Sequence, residues 1–242
     1  MPKAFPLAHP LPTPDLPRPM PPHPEPSPFA AAYAAAHAAV LDPARRLAVG
    51  ATGLLDGERE ASFDRLTRLA VRLTGAQGAF VSLVDVDRDF YLTACGVGAA
   101  LEQARELRGP TFCHFVVYLR EPLVIPDTAA DAVYRDVPTV RSLGVAAYVG
   151  VPIIVDGQPV GAFCAVDTRP HAWTDDEIEV LRELAISAER ELELRVARAR
   201  AERMAARFDA ELGRLALERE MLVAQLESVQ STIAALAGSA DE

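Results

Sequence analysis

The sequence predicts an α+β fold in which a central antiparallel sheet with flanking helices runs on into a long C-terminal coiled-coil helix. Three observations carry that prediction. Two pairs of apolar, β-branched segments, AFVSLVDV with FYLTACGV and AAYVGVPIIV with PVGAFCAVD, are each joined by a short turn and read as hairpins. An apolar stripe at helical spacing precedes the first hairpin. Beyond Trp173 the apolar period changes from strand to helix, and only Gly213 interrupts the chain before Gly238.

The elements follow in order. Twelve of the 20 prolines fall in the first 28 residues, where missing amide donors and a fixed φ exclude helix and sheet, so residues 1–28 are expected to be a disordered, partly polyproline-like tail. The alanine-rich run FAAAYAAAHAAV follows and should form a short helix ending near Pro43, within a helix and linker region of residues 29–50. Phe63, Leu66, Leu69, Ala70 and Leu73 then mark one face of a helix that Gly75 and Gly78 stop. The first hairpin turns at the DRD of residues 87–89, residues 101–109 read as irregular, and TFCHFVVYL is a short helix capped by Thr111. LVIPD is a brief strand ended by Pro126, and residues 128–144 form a crossover broken at Pro138. The second hairpin turns on Asp156 and Gly157. The final helix opens on Thr174 as N-cap with Glu177 three residues on, a capping box.

That helix exceeds the usual globular length, and its charges exclude a membrane span. Leu212, Leu215, Leu222, Leu226, Val229, Ile233 and Leu236 keep a three-four repeat that Arg219 breaks, and upstream, around Ala199 to Ala206, the seam is alanine-rich and slips. An apolar seam of this kind needs a partner helix, and a parallel homodimer is the simplest one; antiparallel packing or another protein's helix stays open. The folded domain is expected at residues 51–196 and the coiled coil at 197–242.

Composition narrows the function classes. The chain carries a net charge of −10 with 50% hydrophobic residues, which gives it no general attraction for nucleic acid or anionic membrane. No run of about 18 apolar residues is present, and prolines sit where a signal peptide needs an apolar core, so a cytoplasmic protein is expected. Cys95, Cys113 and Cys164 lack CxxC spacing and read as reduced core thiols; the five scattered histidines give no metal site.

With helix, hairpin, short helix, crossover, hairpin and helix in that order, residues 51–196 resemble the GAF domain family. The likeness rests on VSLVDVDRDFYLTACGV, on TFCHFVV followed by EPLVIPDTAAD, on YVGVPIIVDGQPVGAFCAVDTRP and on TDDEIEVLRELA. It implies a GAF/PAS-like sheet with the first and last helices on one face and a ligand pocket on the other. The terminal helix likewise resembles the signalling helices that join such sensors to output modules. By the same resemblance the pocket is lined by Phe112, Cys113, His114, Asp127, Tyr134 and Tyr148, with Tyr91 and Cys95 nearby. Each of these is also compatible with ordinary packing, and Asp127 with capping the helix that follows Pro126.

Relatives that attach a bilin use a cysteine in the crossover before the GV strand, where this chain has DVPTVRSLGV and no cysteine. Free methionine sulfoxide reduction uses that same crossover cysteine with a resolving one nearer Cys113, so only half the pair is present. His114 alone is weak support for haem, and Arg120, Arg135 and Arg141 make no phosphate cradle for a cyclic nucleotide. No kinase, cyclase or phosphatase signature is found, and no histidine follows His171. The expected function is a non-enzymatic sensor that binds an unidentified small molecule, or senses redox state, and signals through a dimerising coiled coil to a partner protein. Two alternatives remain: a thiol-dependent reductase using Cys95 and Cys113, and a purely structural assembly protein.

Overall fold

A computed structural model describes residues 27–238, with the side chains of the last helix described through residue 232. The proline-rich tail thus lies outside the described residues, apart from its last two. Helices α1 (Pro28–Val40) and α2 (Pro43–Ala51) lead into α3 (Ala61–Thr74) and the hairpin β1 (Gly78–Val84) with β2 (Arg88–Cys95). Then come α4 (Ala99–Ala104), β3 (Glu106–Arg108), α5 (Phe112–Leu119) and β4 (Leu123–Ile125). A 3-10 turn at Tyr134–Asp136 and the short α6 (Pro138–Ser142) form the crossover to β5 (Ala147–Val155), β6 (Gln158–Asp167) and α7 (Asp175–Gly238).

The six strands form one sheet in the order β3-β2-β1-β6-β5-β4, each pair antiparallel. Both sheet faces are covered, so β1 and most of β5 and β6 are buried along their length and their residues divide between two cores. One core lies under α3 and the first part of α7, and includes Phe63, Leu83, Ile153, Phe163 and Leu181. The other lies under α1 and α5, and includes Val40, Phe80, Tyr91, Phe115 and Tyr148. Asp156 at φ 51° and Gly157 at φ 71° make the paired left-handed turn that a two-residue hairpin requires.

Several local expectations change in the folded chain. Pro43 does end α1, but it also starts α2 at a position where a missing amide costs nothing, with Asp42 Oδ1 accepting from the Arg45 amide at 2.9 Å. On α3 the buried residues are Phe63, Thr67, Ala70 and Thr74, whereas Leu69 and Leu73 are exposed. The threonines fit because their hydroxyls bond within the helix, Thr74 to the Ala70 carbonyl at 2.8 Å, and stop being unpaired polar groups. The first hairpin turns at residues 85–87, so Arg88 and Asp89 belong to β2 rather than to the turn. Residues 99–108 form α4 and the edge strand β3, not an irregular stretch. Their polarity reflects an exposed edge position, which periodicity cannot separate from a loop.

Helix α7 has two regimes. Leu181, Ala185, Ala188, Leu192 and Val196 are buried against the sheet at three- and four-residue spacing. Its start is the expected reciprocal box: Glu177 Oε2 accepts from the Thr174 amide at 2.7 Å, and Thr174 Oγ1 accepts from the Glu177 amide at 3.3 Å. Arg195 with Glu60, and Arg200 with Asp156, tie the helix to the domain edge. From residue 201 to residue 232 every side chain is exposed.

Candidate functional site

A cavity of about 60 Å³ lies on the α5 side of the sheet. Phe80, Tyr91, Tyr148 and Val166 form its floor from four strands, and α4 contributes Leu101. The first turn of α5 gives Thr111, Phe112 and Cys113; the crossover gives Thr139, Leu143 and Val145. The space suits roughly four to six water-sized atoms or groups. Among the described residues no arginine, lysine or histidine lines it, and Asp167, which borders it, turns its carboxylate to the Arg169 amide and His171. Gln77 and Thr168 meet across the mouth through a side-chain hydrogen bond. Thr139 is 5% exposed, and its hydroxyl has no partner. A buried hydroxyl left without a partner costs about 1–3 kcal/mol.

Tyr148 anchors one wall. A Cβ on Gly150, two residues along the same face, would fall 2.3 Å from the Tyr148 hydroxyl, so only glycine lets the ring lie along β5. Phe112 stacks on that ring at 4.6 Å and 22°. The Tyr148 hydroxyl lies 3.0 Å from Cys164 Sγ and 3.8 Å from Cys113 Sγ, and the two sulfurs are 3.9 Å apart. Burial, reinforced by the neighbouring thiols, pushes the Tyr148 phenol and the Cys113 thiol well above their ordinary ranges. Tyr91 is raised in the same way, chiefly by burial.

Behind the cavity lies a polar cluster. Asp89, fully buried on β2, accepts from Thr111 Oγ1 at 2.5 Å through Oδ2, while its Oδ1 has no hydrogen-bond partner. Thr111 Oγ1 is also 3.0 Å from His114 Nδ1. Since the hydroxyl proton is spent on Asp89, the histidine nitrogen is the donor to Thr111, which assigns the Nδ1–H tautomer. Burial lowers the His114 pKa against the attraction of Asp89 and raises that of Asp89 against His114 and Thr111. Arg45 is 1% exposed; burial brings its pKa down to about 10, although Asp85 and Asp89 oppose the shift. Helix α1 closes this side, with Tyr33 packed on His114 at 5.5 Å and on His37 at 5.6 Å.

The structure thus brings Tyr91, Phe112, Cys113 and Tyr148 together at the cavity. His114 is not on the wall but one layer behind it, bonded to Thr111. Tyr134 packs edge-on against Phe115 at 5.0 Å, outside the wall. Asp127 is taken up by an Asx turn, accepting from the Ala129 amide at 2.9 Å. Cys95 pairs with Ala79, a residue of the α3 core, so it lies on the opposite sheet face from Cys113 and the two cannot act together. Thr111 holds the N-cap position but bonds side chains instead of a free amide. Thr139, Asp89 and the Cys113 and Cys164 pairing were missed. Alternation along β6 puts Cys164 on the same face as Ala162 and Val166, a signal that was there to be read. Phe208, exposed and four residues before Leu212, extends the α7 stripe and was also missed. Among the described residues no cluster of three or more metal-binding side chains occurs, and no helix is long and apolar enough to cross a membrane.

Together the sheet order and the flanking helices define an α+β domain with a cavity on one face of its sheet. The GAF domain family model matches residues 58–192, more than half of the chain, and the chain belongs to that family. Among solved structures, the blue-light absorbing form of the Thermosynechococcus elongatus PixJ GAF domain is similar at 23% identity and TM-score 0.50, over 60% of this chain and 90% of that one. Free methionine-R-sulfoxide reductase from Neisseria meningitidis, in complex with its substrate, is similar at 18% identity and TM-score 0.47, over 64% and 91%. The GAF domain of a phosphoenolpyruvate-protein phosphotransferase from Coxiella burnetii is similar at 19% identity and TM-score 0.45, over 70% and 97%. A search of curated proteins returns no match.

Proposed function

We propose that this chain is a non-enzymatic sensory protein whose cavity binds a small molecule and whose α7 carries the bound state to a partner through a parallel coiled-coil homodimer. The observation that carries the reading is the apolar cavity of about 60 Å³ that Phe112, Thr139 and Tyr148 help to line on the α5 side of the sheet. The wall chemistry favours an uncharged ligand, because among the described residues no basic side chain lines the cavity to meet an anion and the Asp167 carboxylate is turned to the Arg169 amide and His171. In this conformation the volume is far too small for a tetrapyrrole, which argues against haem and, together with the missing crossover cysteine, against bilin.

A path from cavity to rod supports the signalling part. Tyr148 on β5 lines the cavity, and Ile154 on the same strand donates its amide to Glu189 of α7 at 2.7 Å. A ligand that shifts β5 would therefore act on α7 through one rigid element, provided α7 has two arrangements of similar energy. The exposed stripe of Phe208, Leu212, Leu215, Leu222, Leu226 and Val229 is the surface a second copy would cover. Native mass spectrometry of the purified full chain tests the binding reading: a retained non-covalent small molecule, lost on mild activation and on Thr139→Val, is the expected result. A protein that is empty as purified and unshifted in melting temperature by a panel of neutral and cationic small molecules would overturn it.

A further inference from the structure

Cys113 and Cys164 come from α5 and β6, far apart in sequence, yet their sulfurs are 3.9 Å apart on the cavity side of the sheet. Both thiols are free, and they are 1% and 0% exposed. Their access differs. Cys113 is part of the cavity wall, whereas Cys164 lies behind it and is not among the lining residues. The Tyr148 hydroxyl faces both sulfurs, closer to Cys164.

We propose that Cys113 and Cys164 are a redox couple that closes to an intramolecular disulfide when a small hydroperoxide enters the cavity. The proposal rests on the cavity reading above only for the route by which the oxidant arrives. Cys113 sulfur attacks one oxygen of the peroxide, the O–O bond breaks, and the other oxygen leaves with the thiol proton as water. Sulfur is oxidised to the sulfenic acid and the peroxide is reduced. Cys164 sulfur then attacks Cys113 sulfur; an S–S bond forms, the S–O bond breaks, and hydroxide departs with the Cys164 proton as a second water. Two thiols and one hydrogen peroxide thus give one disulfide and two waters. The Tyr148 hydroxyl lies within hydrogen-bond distance of the Cys164 sulfur that attacks in the second step.

The geometry sets the limits of this chemistry. Bonding contracts the sulfur separation from 3.9 Å to about 2.05 Å, an approach that side-chain rotation and a small inward shift of α5 can supply. A cavity of about 60 Å³ admits hydrogen peroxide and excludes a bulky aralkyl hydroperoxide. Burial holds Cys113 mostly as the thiol, so the reaction is slow and governed by access. Because Cys113 is a wall residue, closure also reshapes the cavity, and the oxidised protein should bind the ligand of the reduced form with altered affinity.

The test uses the full chain with Cys95→Ser, which leaves only the two thiols in question. After hydrogen peroxide treatment, denaturation and alkylation, both thiols should have become unreactive, with the mass lower by two hydrogens, no covalent dimer, and full reversal by dithiothreitol. Cumene hydroperoxide should act about ten-fold or more slowly. The further variant Cys164→Ser should gain oxygen at Cys113 and form no intramolecular disulfide. Two thiols that remain alkylatable after prolonged peroxide, or disulfides found only between chains, would overturn the couple. Equal rates with the bulky peroxide would overturn the cavity as its route. Ligand retention by the reduced protein is measured separately, so a chain that retains a small molecule and never oxidises sinks this proposal alone.

Discussion

The Tyr148 hydroxyl reaches Cys164 because Gly150 leaves bare strand under the tyrosine ring: a Cβ there would stand 2.3 Å from the phenol oxygen. Gly150→Ala therefore has to tilt a fully buried ring out of its stack on Phe112. The expected loss is about 1–3 kcal/mol, the usual cost of overpacking, and a melting temperature lowered by several degrees. Thermal denaturation checks it; an unchanged or higher transition would mean that the ring has room to move.

Acid should weaken the fold through His114. Burial holds its folded pKa below the ordinary value of about 6.5, with Asp89 opposing and His37 and Arg45 assisting. Between the two values the unfolded chain binds the extra proton, so this stability is complete above about pH 6.5 and is lost as pH falls toward the folded pKa. Urea unfolding between pH 7.5 and 5 should show that slope. His114→Asn, which keeps a donor for Thr111, should flatten it, whereas an identical slope in the variant would assign the proton elsewhere.

The capping box at the start of α7 supplies a second acid-sensitive contact. Glu177 is partly desolvated, which raises its pKa, but hydrogen bonds from Thr174 and His171 outweigh this and bring it below the ordinary carboxylate range. Its contribution is complete above the unfolded value of about 4.3 and fades as pH falls through the lowered one. Thr174→Ala removes the reciprocal bond and should cost about 1 kcal/mol at neutral pH, read by chemical denaturation.

The seam of α7 makes a prediction about assembly. Arg219 falls where a three-four stripe calls for an apolar residue, and in a parallel pair two guanidinium groups would face each other. Arg219→Leu should tighten self-association and Leu222→Glu should abolish it. Sedimentation velocity separates the outcomes; a species insensitive to both changes would exclude this stripe as the contact.

The strands and the ends of the long helix were legible because hairpin alternation, the Asp156 and Gly157 turn and the Thr174 box are local signals. α2 was not, because Pro43 reads equally as a stop and as a first helical residue. The cavity was legible in part. Phe112 and Tyr148 stand out as aromatics, but Thr139 and Thr111 are ordinary residues until the fold brings them to one wall. Asp89 reads as a turn aspartate because burying an acid is costly, and nothing local announces the Thr111 hydroxyl that donates a hydrogen bond to it there. Cys113 and Cys164 meet only through the register of β6 against α5, a relationship no single segment encodes.

Helix α7 also works as a pointer fixed at one end. Its part beyond Arg200, to Gly238, is about 57 Å long at 1.5 Å per residue, while its footing is gripped by a few buried side chains and two edge ion pairs. A 5° tilt at that footing, produced by sub-ångström adjustment of β5, would sweep the far tip by roughly 5 Å. Displacements too small to see at the cavity would thus arrive at the distal end on the scale of a full helical turn.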